Sequence, residues 1–240
     1  MKNINKIVFC LLATAALALQ AGVYVLADLP ENVQTFIRLQ QEAMAQKIEM
    51  LNAEQKSAYI FEAARFAPHL SLAFVDQKEL SVEHTYYAYM HLDLLLSGIS
   101  KDRKPIDMSS SVENATIAYW PGKFKVKCGD SVKENYANVV LKIEDNAELS
   151  ALAGEIRAGL ENNWSIKQAF PFSSHITLGR IYQADDKPVD TQHLQKLETK
   201  VPAAVLGAVI IKDFKLKGHD GSEDVFALKD TFRPRHSLFE

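Results

Sequence analysis

Two apolar runs in this chain are written almost alike. His69-Leu70-Ser71-Leu72 opens one that continues to Val75, and His175-Ile176-Thr177-Leu178 opens one that continues to Ile181. Short apolar runs bounded by polar residues predict buried strands. Alternate side chains of a strand share a face. His69 and Ser71 are therefore expected on one face, with Leu70 and Leu72 on the other, directed into a core. His175 and Thr177 repeat the arrangement against Ile176 and Leu178.

The remaining pattern mixes helical and strand periods. Pro30 opens a helix in which Val33, Phe36, Ile37, Ala43, Met44, Ile48 and Leu51 recur at spacings of three and four. From Ala53 to Ala64 helix-favouring residues continue, though Tyr59-Ile60-Phe61 leaves the state of that segment open, and Pro68 stops any helix before the first motif. Ser81 is a candidate cap for a helix to about Ser97, and Asn146 for one carrying Leu149, Leu152, Ile156 and Leu160. His84 and His91 on the former read as packing or surface residues. A hairpin is expected from Ala115–Trp120 and Lys123–Cys128 around Pro121-Gly122, its Lys123, Lys125 and Lys127 sharing a face that is either solvated or a basic rim for phosphate. Val139–Ile143 reads as a central strand, Thr191–Lys200 as a short helix, and two last strands (209–216 and 224–228) are joined through Asp220-Gly221. Strands joined by hairpins and mixed with helices predict an α+β fold rather than a doubly wound parallel sheet.

Composition adds a leader. In residues 1–27 the only charges are Lys2 and Lys6, ahead of an apolar stretch from Ile7 to Ala27, which reads as a secretory signal cleaved before Asp28, or as an uncleaved anchor. The expected division is a leader over 1–27, a helical flank over 28–56, one domain over 57–232 and a tail over 233–240. Export would place the protein in the periplasm or outside the cell, and membrane association would follow only from an uncleaved leader. Losing the two lysines takes the net charge from −3 to −5. So acidic a chain is no general polyanion binder, and duplex nucleic acid is not an expected partner. Cys10 lies in the leader and Cys128 is left alone, so no internal disulfide forms. No Cys/His spacing fits a zinc site, and no metal or cofactor is expected.

The chemistry rests on the doubled tetrad. Two such tetrads arising by accident among seven histidines come to roughly one or two per cent at ordinary residue usage. Histidine exchanges protons near neutral pH, so His69 and His175 flanking one substrate supply a general base and a general acid. Ser71 and Thr177 can donate hydrogen bonds to the non-bridging oxygens of a phosphate. Neither hydroxyl lies in a nucleophile elbow, and neither a Walker A loop nor a dinucleotide glycine fingerprint is present. Metal-independent phosphodiester cleavage fits this set. Arg180 is a candidate phosphate ligand, but its odd offset from Thr177 points it away from the cleft in an unbroken strand. Phe170 and Phe172 are candidates for stacking a base or for the core.

Residues 68–75 and 175–181 together, with the strand and helix between them, resemble the two-histidine (2H) phosphoesterases, most closely the 2′-5′ RNA ligase-like and cyclic phosphodiesterase branch; the likeness covers roughly residues 57–230. Two departures are Ser71, where threonine is commoner, and Ser174, where proline often precedes the second histidine. The resemblance implies a bilobal α+β fold, two antiparallel-rich sheets with outer helices and both motifs on the floor of a central groove. It further implies His69 and His175 as acid and base, Ser71 and Thr177 as phosphate contacts, and a small nucleotide or an oligonucleotide end as substrate, a 2′,3′-cyclic phosphate or a 2′-5′ linkage. The alternatives are a nucleotide-binding module without turnover and a phosphodiesterase for a lipid or cell-envelope substrate.

Overall fold

A computed structural model describes residues 22–55, 58–75, 82–122, 125–128, 131–168, 170–195, 208–218 and 222–228. The expected Ser81 cap and the Asp220-Gly221 turn lie outside the described residues, as do the helix beyond Gln195 and the tail.

Two four-stranded antiparallel sheets organise the molecule. In the first, the order is β12 (Glu223–Ala227), β11 (Asp213–Lys217), β1 (Val23–Asp28) and β3 (His69–Val75). In the second it is β2 (Tyr59–Ala63), β9 (His175–Gln183), β8 (Tyr136–Lys142) and β5 (Thr116–Pro121). Two small pairs complete the strands, β4 (Ile106–Asp107) with β10 (Ile210–Ile211), and β6 (Val126–Cys128) with β7 (Ser131–Lys133). Helices α2 (Val82–Asp102) and α4 (Ala147–Trp164) pack on the first sheet, and α1 (Glu31–Gln55) on the second. Two one-turn helices, α3 (Ser109–Glu113) and α5 (Thr191–Gln195), complete the set, and α5 packs on β5. Leu72, Leu178, Val139, Ile156 and Ile37 are fully buried in one core that runs under both sheets. The architecture is the expected α+β one, with two antiparallel sheets and outer helices.

Three expectations are corrected by the packing. First, β1 lies between β11 and β3, and Val23, Val25, Leu26 and Ala27 are buried. A cut before Asp28 would therefore remove an interior strand. Gly22, just ahead of β1, already packs tightly on β3, since a Cβ there would stand 2.0 Å from the Val75 carbonyl oxygen. Helix α1 likewise contributes Val33, Phe36, Ile37, Met44, Ile48 and Leu51 to the shared core, so it is part of the domain rather than a flank.

Second, the helix ends at Gln55 and 59–63 is a strand. Asn52 marks the change, its side chain accepting from Tyr59 N at 3.0 Å and donating to Tyr59 O at 2.7 Å. Third, β5 pairs with β8 and not with β6. The apolar run of β8 extends the core face begun by Ile117 and Tyr119, and Gly122 N prolongs this pairing by donating to Tyr136 O. The Asn146 cap is as expected, its side chain accepting from Leu149 N at 3.0 Å.

Candidate active site

Strands β3 and β9, one from each sheet, pack against each other and carry the two tetrads. His69 and Ser71 are half-buried while Leu70 and Leu72 are buried, and His175 and Thr177 stand in the same relation to Ile176 and Leu178. The histidines are near enough that a proton on His69 disfavours one on His175.

Each imidazole is held in the same way. His69 Nδ1 lies 2.9 Å from the carbonyl oxygen of Ala67, and His175 Nδ1 lies 2.7 Å from that of Ser173. A carbonyl only accepts, so both Nδ1 atoms carry the proton and both Nε2 atoms are left for chemistry. Burial pushes both imidazoles below the ordinary histidine value, and these carbonyl contacts oppose it. Around His69, Lys217 adds to the lowering and Asp28 counters it, whereas His175 feels the charge of His69.

A β-bulge closes each tetrad, at the same place. In β3 the partners of β1 run Leu26↔Ser71 and then Val25↔Ala73, leaving Leu72 as the extra residue. In β9 the partners of β8 run Val140↔Thr177 and then Val139↔Gly179, leaving Leu178 extra. An inserted residue reverses the alternation beyond it. Leu72 and Ala73 are both buried, and so are Leu178 and Gly179; the fifth residue after each histidine then returns to the histidine's face. That residue is Phe74 in β3 and Arg180 in β9. The sequence expectation that Arg180 points away from the cleft is thereby corrected.

Arg180 remains a candidate anion ligand on this face. Its Nε is buried without a hydrogen-bond partner, and its guanidinium lies 5.8 Å from the centre of the Tyr136 ring. A buried charged donor left unpaired is costly, and an incoming phosphate oxygen would satisfy it. Glu62, opposite Arg180 in register, engages Arg65 at 2.7 Å.

The aromatic rings beside the histidines are not the ones anticipated. Trp120 meets His175 edge-on with ring centres 4.6 Å apart, and Phe66 lies 6.1 Å from His69 and is 59% exposed. Tyr24 and Phe74 stack at 4.5 Å on the His69 side. Phe172 instead packs on the core beneath the guanidinium of Arg157, and Phe170 lines an outer surface hollow. The sequence signal for Trp120 was its alternation with Ile117 and Tyr119 along β5, which puts it on the face opposite the core.

Other features are structural. Lys125 pairs with Glu134 at 2.6 Å and Lys127 is exposed. His84 is exposed, and His91 meets Asn163 and the Trp164 ring. Among the described residues no three His, Cys, Asp or Glu gather as metal ligands.

No protein-family model and no curated protein matches the chain in sequence. Among solved structures, Kluyveromyces marxianus Usb1 superposes with a TM-score of 0.50 at 11% identity, over 86% of this chain and 97% of that one. E. coli LigT complexed with NADP+ gives 0.41 at 19% identity, over 88% and 96%. Usb1 carries the weight of the comparison, and at such identity the likeness is one of fold. With a tetrad on each facing strand and this architecture around them, the chain has the two-histidine phosphoesterase fold.

Proposed function

We propose that this chain is a phosphodiesterase that hydrolyses 2′,3′-cyclic or 2′-5′-linked nucleotide ends by acid–base catalysis, without a metal. The observation that carries the reading is the matched pair of imidazoles, each held through Nδ1 by a backbone carbonyl, on two strands that pack against each other. One neutral imidazole takes a proton from water as the water oxygen attacks phosphorus. The other, protonated at Nε2, gives its proton to the ribose oxygen as the P–O bond breaks. Both proton transfers are thus supplied by the chain. Ser71 and Thr177 donate to the non-bridging oxygens, and Arg180 neutralises charge as it builds up there. Trp120 and Phe66 flank the imidazoles with faces on which a base can stack.

The test is a panel of 2′,3′-cyclic nucleotides, a 2′-5′ dinucleotide and a glycerophosphodiester, with products resolved by chromatography. Turnover confined to the nucleotides is expected. Hydrolysis of the glycerophosphodiester alone would overturn the substrate class, and tight nucleotide binding with no product would make the chain a binding module.

We infer also that the protein is exported, with its leader ending ahead of Gly22. The basic start and the apolar stretch are those of a leader, and Ala18 and Ala21 offer small residues upstream of β1. Mass analysis of the mature N-terminus is expected to find it at or before Gly22; a terminus at Asp28 would contradict the inference, and an intact Met1 on exported protein would mean an anchor.

A further inference from the structure

We propose that Arg157 is a positioning residue that ties the two catalytic segments together from behind. The proposal rests on the reading of the groove given above. Arg157 lies on α4 beside the buried stripe of Leu149, Leu152, Ala153, Ile156 and Leu160. Its Nε donates to Leu72 O at 2.8 Å, the carbonyl of the bulge residue that closes the first tetrad. Its Nη1 donates to Phe170 O at 2.9 Å, in the loop whose Ser173 carbonyl holds His175 Nδ1. The guanidinium lies 5.3 Å from the centre of the Phe172 ring in the same loop. One rigid planar group therefore spans the strand of His69 and the anchor of His175.

The reason such a group is needed lies in the sheet. β3 is an edge strand, so the outward-facing groups of Leu72 and Phe74 have no neighbouring strand. Arg157 takes the first, and Gln168 takes the second, accepting from Phe74 N at 3.0 Å and donating to Phe74 O at 2.7 Å. At the other bulge, Gln41 of α1 donates to Leu178 O at 2.9 Å, but Ala64 N shares that carbonyl and β2 covers the strand. Among the described residues Arg157 joins the first tetrad, at Leu72 O, to the loop that leads into the second, at Phe170 O. A lysine keeps its charge but lacks the fixed fork that serves two separated carbonyls.

The experiment uses the full chain with Arg157→Met, Arg157→Lys and, as the weaker counterpart, Gln41→Leu. Ring-nitrogen NMR reads the histidine tautomers, and kcat and KM are read on a 2′,3′-cyclic nucleotide. Expected for Arg157→Met is a mixed tautomer at His175 with His69 still protonated on Nδ1, and a fall in kcat of tenfold or more with little change in KM. Arg157→Lys should recover only part of this, and Gln41→Leu should leave both tautomers alone. A folded Arg157→Met chain with both tautomers and kcat intact would overturn the proposal. Should that variant not fold, Arg157→Lys carries the same two readings. The tautomers answer even if no nucleotide is hydrolysed, which separates this proposal from the substrate assignment.

Discussion

β3 lies at the outer edge of its sheet, whereas β9 runs between β2 and β8, and the two halves of the groove differ in ways that follow from this. At the residue after each bulge, β3 has Ala73 and β9 has Gly179. A Cβ at Gly179 would come within 2.4 Å of the Glu62 carbonyl oxygen, because β2 is hydrogen-bonded alongside. Among the described residues no strand lies outside Ala73, so a methyl group is accommodated. The chemistry divides too. His69 feels the charges of Asp28 and Lys217, which are linked through Lys215 and Glu223 by ion pairs of 2.9–3.2 Å, while His175 is flanked by Trp120, with Arg180 further along its strand. The lesson is that a repeated tetrad places a histidine and a hydroxyl in duplicate, while neighbouring strands decide what each copy can hold beside them.

Removing β1 should break the first half altogether. Val23, Val25 and Leu26 are buried, and full burial stabilises by about 1.5–3 kcal/mol for each such side chain, against a total stability of about 5–15 kcal/mol. A chain lacking residues 1–27 is expected not to fold, while one lacking residues 1–21 keeps a cooperative thermal transition. A cooperative transition in the shorter chain would contradict the placement of β1.

Exchanging the residues that follow the bulges tests the chemical asymmetry. Arg180→Met forfeits charged hydrogen bonds worth about 1.5–3 kcal/mol, so kcat/KM on a cyclic nucleotide should drop about 10- to 150-fold. Phe74→Ala, at the matching position, should change it only a few-fold. Equal losses would mean that Arg180 holds no phosphate.

The glycine difference should appear in stability. Gly179→Ala overpacks a closed site and is expected to cost about 1–3 kcal/mol. Ala73→Gly should cost about 0.5–1 kcal/mol, the usual penalty for glycine inside a strand. Urea midpoints of the two variants decide between these figures and a symmetric pair.

The smallest effects are in pH. Both imidazoles are lowered from 6.5 in the fold, so the folded state prefers them neutral. Stability should therefore fall as pH drops from about 6.5 through the folded values. Activity needs one imidazole neutral and one protonated, a state most populated between two lowered values. The maximum of kcat/KM is accordingly expected on the acid side of 6.5, declining as pH rises. Asp28→Asn removes a charge that supports His69 protonation and should move the profile further to acid. A profile that peaks above pH 7 would contradict these shifts.

Much of this was legible in the residues. The tetrads gave the shared histidine and hydroxyl faces because period-two alternation needs only local sequence, and the apolar run of β8 announced an interior strand. What local alternation could not show were the bulges, since a bulge is defined by its partner strand. Arg180 was therefore assigned the wrong face by an argument sound for a regular strand, and Gly179 was the only hint otherwise. β1 was hidden because Val23–Ala27 is as apolar as a leader, and only its pairing with Leu216 and Ala73 marks it as sheet. Arg157 carried no signal, because its partners are backbone atoms 13 and 85 residues away.

The most direct test of the central claim is hydrolysis of a 2′,3′-cyclic nucleotide by the full chain in excess EDTA, beside His69→Ala and His175→Ala. General acid and base catalysis each contribute about 10²–10⁴-fold. The account predicts turnover that survives EDTA and falls by that order in each single variant. Turnover that persists in either variant, or that EDTA abolishes in the unmodified chain, would contradict it.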